Sequence, residues 1–206
     1  MTAVIFTGGE CSPSLLDPSD YTGDLIIAAD AGYKTAQKCG VTPHIIAGDF
    51  DSAPVPSVPG AEIIRVPAEK DDTDTMLACE LALKRGAKIL RIVGGTGGRL
   101  DHSLSNLFLL ENLHRRAVRA SLCDGFNRIC LLENETRRLP RCGYRYFSLI
   151  ALADASVTLS GCRYPLQNAP LTRTLPYAVS NEICGESAEI TVAGGPVFLI
   201  ESEKEP

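Results

Sequence analysis

Acidic residues follow several of the short apolar runs in this sequence. Asp30 follows the run at residues 25–29, and Asp49 and Asp51 follow the run at 44–47 within Gly48-Asp49-Phe50-Asp51-Ser52. Asp101 follows the run at 89–93, within Gly94-Gly95-Thr96-Gly97-Gly98-Arg99-Leu100-Asp101-His102. A fourth group, Lys70-Asp71-Asp72-Thr73-Asp74, opens a helical stretch. Singly, each has a purely structural use. Asp71, Asp72 or Thr73 could cap a helix, with Asp74 as a first-turn acid favoured by the helix dipole. Asp101 could cap a helix starting at His102, and Asp49 and Asp51 could make a turn. Gathered at one sheet edge, however, they would repel one another by about 1 kcal/mol per close pair even in water. A divalent cation relieves that repulsion. Hard carboxylate oxygens suit Mg²⁺, which takes one or two carboxylates together with water and substrate phosphates.

Residues 94–98 supply the complementary part. Glycines let backbone N–H groups approach a phosphate closely, and a helix that follows adds its positive end. Arg99 offers a bidentate phosphate contact. The loop is neither GxGxxG, because position 100 is Leu, nor a Walker loop, because no GK[ST] follows. In isolation a flexible turn explains it as well. Joined to Arg99, Asp101 and the other acids, it points to a magnesium nucleotide whose phosphates lie along the sheet edge. The corresponding chemistry is phosphoryl-type transfer, in which catalysis is mainly positioning and charge neutralisation.

The elements that must position these residues can be read from periodicity. Runs at 3–6, 25–29, 44–47, 62–66, 89–93 and 119–123 are brief, β-rich and bounded by Gly, Pro or Asp, as strands of a buried, mainly parallel sheet are. Between them, 33–39, 74–85 and 102–116 carry apolar residues at helical spacing. The alternation predicts a Rossmann-like α/β domain over residues 1–125, whose ligands bind outside the carboxyl ends of its strands. Beyond it the helical period disappears. Segments 128–132, 144–152, 156–159, 188–192 and 196–200 alternate polar and apolar residues between Gly, Pro and Asn clusters, predicting a small antiparallel β module over 126–206.

Composition narrows the partners. The 206 residues are 45% hydrophobic and 22% charged, with a net charge of -5, so bulk electrostatics attracts neither nucleic acid nor an anionic membrane. No apolar run approaches the roughly 20 residues of a membrane span, and the first residues lack the form of a signal peptide, so the expected location is the cytoplasm. The eight cysteines include no CxxC pair and are expected to be reduced thiols rather than a disulfide framework or a zinc site.

The three acidic motifs, with Ala78 behind the second and Asn106 one turn after the third, resemble those of the thiamine pyrophosphokinase family in order and spacing. The resemblance extends to Gly161-Cys162-Arg163-Tyr164-Pro165-Leu166 and Ser180-Asn181-Glu182, so it covers nearly the whole chain. It implies an α/β catalytic domain holding Mg-ATP, a β-sandwich that helps bind thiamine, and a homodimer with active sites shared between subunits. It implies transfer of the β,γ-pyrophosphoryl group of ATP to the thiamine hydroxyl, giving thiamine diphosphate and AMP. By position, Asp49, Asp51, Asp71, Asp74 and Asp101 correspond to the metal and polyphosphate acids, with Asp30 beside them. Arg99, His102, Lys70 and the residues Gly94, Gly95, Thr96, Gly97 and Gly98 correspond to nucleotide contacts. Tyr164, Ser180 and Asn181 correspond to thiamine contacts, Tyr164 through cation–π attraction to the thiazolium. Without the family, Tyr164 reads as a half-buried strand residue and the Ser-Asn pair as a turn. A metal-dependent phosphohydrolase and a non-catalytic nucleotide- or thiamine-binding module are the competing readings. A dedicated acceptor domain is superfluous to the first, and an intact set of acids to the second.

Overall fold

The structure, a computed structural model, describes residues 1–50, 58–66 and 73–204. The chain divides into two compact units, Met1–Gly125 and Phe126–Pro206.

In the first unit the strands β1 (Thr2–Phe6), β2 (Leu25–Ala29), β3 (Ile45–Gly48), β4 (Glu62–Arg65), β5 (Ile89–Val93) and β6 (Arg119–Cys123) lie in the order β4-β3-β2-β1-β5-β6. Every neighbouring pair is parallel, with Ile5 of the central strand opposite Ile27 on one side and Ile92 on the other. Their near-continuous apolar sequences follow from burial on both faces, since Val4, Ile5, Phe6, Ile27, Ile46 and Ile92 are all fully buried.

Among the described residues the α-helices between them are α1 (Pro18–Tyr21), α2 (Gly32–Lys38), α3 (Asp74–Lys84) and α4 (Leu100–Arg115). The short α1 gave no periodic signal and exists through a capping box, Asp17 accepting from Ser19 N while Asp20 accepts from Asp17 N. Of the three candidate caps before α3, Thr73 is the one observed, its hydroxyl accepting from Met76 N at 3.2 Å. Ala78, Cys79 and Ala82 bury one side of that helix, which packs on β1, β2 and β3. The start of α4 departs from expectation. It begins at Leu100, its N-cap is Arg99 with no side-chain cap bond, and Asp101 stands inside the first turn rather than capping it.

In the second unit β13 (Val197–Lys204) pairs antiparallel with both β7 (Asn127–Leu132) and β9 (Tyr144–Ala151). A four-stranded antiparallel sheet runs β11 (Leu166–Leu171), β10 (Ala155–Ser160), β12 (Ser187–Gly194), β8 (Glu135–Pro140). Leu139, Val157, Leu159, Leu171, Ile190 and Val192 from the four-stranded sheet share a core with Leu132, Phe147, Leu149, Val197 and Leu199, which is the expected sandwich. The two strands not anticipated, β8 and β11, are the two edges of that sheet. Arg137, Arg138 and Pro140 in one, and Asn168 and Pro170 in the other, are the charge and proline that edge strands carry.

Candidate active site

The strand order of the first unit reverses at β1, whose neighbours are β2 on one side and β5 on the other. The carboxyl ends of the strands at such a reversal are the usual ligand site of an open α/β sheet. A cleft of about 530 Å³ lies there. Thr7, Gly8, Gly9 and Glu10 line it from β1, Ala29, Asp30 and Ala31 from β2, residues 94–99 from β5, Thr73, Asp74 and Thr75 from the start of α3, and His102 and Asn106 from α4.

The two central loops are zipped together. Thr7 N donates to Val93 O at 2.9 Å, the Thr7 hydroxyl donates to Gly94 O, and Glu10 N donates to Thr96 O at 3.1 Å. Gly9 permits this approach, because a Cβ there would stand 2.0 Å from Gly94 O. On the other side Gly94 N donates to Cys123 O at 2.8 Å, Asn106 Nδ2 donates to Gly95 O at 2.8 Å, and the Thr96 hydroxyl donates to the buried Asp124 carboxylate. The glycine-rich segment is thus held from three elements. A preorganised loop with the N-terminus of a 16-residue helix behind it has the chemistry suited to an anion.

Of the acids singled out from the sequence, Asp30 and Asp74 line the cleft. Asp30 adopts a left-handed backbone, φ 44°, with its N–H donating to Ala47 O at 2.8 Å. Its side chain is close to Gly48, where a Cβ would be 3.2 Å from Asp30 Oδ1. Asp49 follows Gly48 and is half-buried, but is not among the lining residues. Asp101 is likewise absent from the lining. Arg99 binds it bidentately, Nε to Oδ1 at 3.1 Å and Nη2 to Oδ2 at 2.6 Å, and His102 N donates to the same carboxylate at 3.0 Å. The Arg99 guanidinium pulls the Asp101 carboxyl down to about 2. Asp51, Lys70 and Asp71 lie outside the described residues. Gly94, Gly95, Thr96, Gly97, Gly98, Arg99 and His102 all line the cleft, although the Thr96 hydroxyl is directed to Asp124. Residues 7–10 were missed in the sequence, although the short Thr-Gly-Gly-Glu segment follows its strand as directly as the acidic motifs follow theirs.

Among the described residues no three His, Cys, Asp or Glu side chains converge as a ready metal cage. Asp30 and Asp74, which both line the cleft, are hard oxygen donors of the kind a divalent cation takes together with water and substrate phosphates.

In the second unit Tyr164 lies in a bend outside the strands and is 56% exposed, so it is not the half-buried strand residue its context suggests. The Arg163 guanidinium sits 5.6 Å from its ring centre and is itself tied to Glu182 at 2.7 Å. Ser180 is exposed with φ 55°, its N–H donating to Ser148 Oγ at 3.0 Å. Asn181 is 4% exposed, and its amide works inside the protein. Its Oδ1 accepts from Tyr164 N at 3.0 Å and Glu182 N at 2.9 Å, while Nδ2 donates to Tyr164 O at 2.8 Å and Cys162 Sγ at 3.4 Å. Every hydrogen-bonding position of that amide is engaged within the chain. Asn181 therefore shapes the loop that presents Tyr164.

Comparison with known proteins places both units. The family described as thiamin pyrophosphokinase, catalytic domain, matches residues 21–122, and that described as thiamin pyrophosphokinase, vitamin B1 binding domain, matches 135–196. The thiamine pyrophosphokinase of Bacillus subtilis is 31% identical over 90% of this chain and 92% of its own. A crystal structure of thiamine pyrophosphokinase from that organism superposes with a TM-score of 0.86 at 29% identity, each chain covered completely. One from Geobacillus thermodenitrificans gives 0.82 at 30% identity over 98% of each chain.

Proposed function

The chain belongs to the thiamin pyrophosphokinase family, and from that premise we propose how its own residues share the work of moving the pyrophosphoryl group of ATP to the hydroxyl of thiamine, giving thiamine diphosphate and AMP. The observation that carries the proposal is the cleft at the strand-order reversal, where a latched glycine-rich loop faces Asp30 and Asp74.

In this reading residues 1–125 form the catalytic unit and residues 126–206 the thiamine-binding unit. The backbone of residues 94–98 and the start of α4 hold the polyphosphate, with Arg99 and His102 at its flank. Asp30 and Asp74 would hold Mg²⁺, with Asp49 and the undescribed Asp51 and Asp71 as further acids of the same set. When bound, the ion neutralises charge on the polyphosphate oxygens. Asp101 acts one step removed, by fixing the Arg99 guanidinium in a defined orientation. The thiamine hydroxyl attacks the β-phosphorus in line with the bond to the departing AMP, so that positioning supplies most of the rate enhancement. We assign receipt of the hydroxyl proton to Asp74, which lines the cleft from the first turn of α3. Tyr164 offers an exposed ring face to the thiazolium, worth about 0.5–2 kcal/mol, with the Ser180 hydroxyl beside the Asn181 latch. Lys70 is assigned to the phosphates by family position alone.

We further propose a homodimer with shared active sites, working in the cytoplasm. Leu100, Leu104 and Phe108, 71%, 43% and 53% exposed, recur at four-residue intervals along α4 and begin at the cleft's own Arg99. An exposed apolar stripe of this kind is ordinarily covered by a partner.

Incubation with ATP, Mg²⁺ and thiamine, followed by separation of products, should yield AMP and thiamine diphosphate. Formation of ADP and thiamine monophosphate would overturn the pyrophosphoryl assignment.

A further inference from the structure

Glu10 lines the cleft and has no part in the scheme above. Its backbone is fixed opposite Thr96 by an antiparallel bridge and by the 3.1 Å bond from Glu10 N to Thr96 O. That register lays the side chain over the next residues of the glycine-rich loop. A Cβ built on Gly97 would stand 2.7 Å from Glu10 Cβ and 2.8 Å from Oε2, and one built on Gly98 would stand 3.8 Å from Oε1. Gly97 and Gly98 both have left-handed backbones, φ 82° and 60°. Turns of this kind gather successive N–H groups into a concavity that accepts anions. The Glu10 carboxylate therefore lies against the part of the loop suited to a phosphate, and the side chain is exposed.

We propose that Glu10 is a specificity-determining residue of this reaction: an internal anion resting on the phosphate loop, which an incoming polyphosphate has to displace. The proposal rests on the assignment of this cleft to ATP. A carboxylate near the loop opposes a bound phosphate by electrostatics and occupies its position. The affinity of the site for triphosphate is then set by the contest between the two, and weakly held anions such as inorganic phosphate lose it. Gly97 is part of the same device, since any side chain there would collide with Glu10.

Isothermal titration with Mg-ATP of the wild type, Glu10→Gln and Glu10→Asp tests this. Removing one unit charge about 4 Å from a phosphate in water corresponds to about a fivefold lower Kd, expected for Glu10→Gln and not for Glu10→Asp, which keeps the charge. Adenosine, lacking phosphates, should bind all three equally. A Kd for Mg-ATP that is unchanged or raised in Glu10→Gln, or an equal gain in Glu10→Asp, overturns the role of the Glu10 charge while leaving the cleft assignment standing. Failure of the wild type to bind Mg-ATP at all overturns the cleft assignment and this inference with it.

Discussion

Asp101 does not line the cleft, but it binds a residue that does. Its carboxylate is exposed, yet two guanidinium hydrogen bonds from Arg99 and one backbone N–H hold it in the charged form. The depressed value means that the pair is in place above the ordinary carboxylate range and is lost only as pH falls through about 2. Any acid limb of activity between pH 4 and 6 therefore belongs to another group. Carbon-detected titration of the Asp101 side chain should give a midpoint near 2 in the wild type, rising toward 3.8 in Arg99→Ala. An unshifted midpoint in the wild type would mean that the ion pair does not persist in solution. The Asn181 amide carries the opposite lesson. From the sequence it is a polar residue beside a proposed substrate, whereas its four internal bonds make it the fastening between two loops.

At the scale of elements, the site depends on two loops that approach to backbone contact. Gly9→Ala places a methyl group 2.0 Å from Gly94 O, and neither partner is a side chain that can swing away. The expected cost is on the order of 1–3 kcal/mol, read as a lower urea midpoint, together with a raised KM for ATP. A variant with the wild-type midpoint and KM would show that the loops part readily. Such contacts explain what could be read in advance. The parallel strands were legible because burial on both faces makes their apolar runs continuous, and α3 and α4 because their apolar spacing is helical. The acids Asp30 and Asp74 were legible because they stand at the carboxyl end of a strand and the N-terminus of a helix. The edge strands β8 and β11 were not, since an edge dilutes the apolar pattern with charge and proline. Glu10, Thr7 and Asp124 escaped because their importance lies in partners about 30 to 90 residues away, Asp124 reaching Thr96 and Thr7 reaching Gly94. The start of α4 lies two residues earlier than expected, with Asp101 inside the first turn and bound by Arg99.

At the scale of the whole molecule, the proposed dimer makes its own demand on α4. Sedimentation at micromolar concentration should show a dimer, and Phe108→Glu, which puts a charge on a residue already 53% exposed, should shift it toward monomer without lowering the unfolding midpoint. A monomeric wild type with full activity would remove shared active sites. The Thr96–Asp124 latch has a further consequence, for synthesis rather than for structure. Ribosomes deliver the chain from its N-terminus, so the acids at residues 30, 49 and 74 and the whole glycine-rich segment emerge before Asp124 does. Until β6 and the residue after it have appeared, Thr96 lacks its carboxylate partner, Gly94 N lacks Cys123 O, and Ser12 N lacks Asp124 O. A nascent chain thus carries its glycine-rich segment for some time before the contacts that fasten it exist, and the loop reaches its final form only with the last strand of that unit.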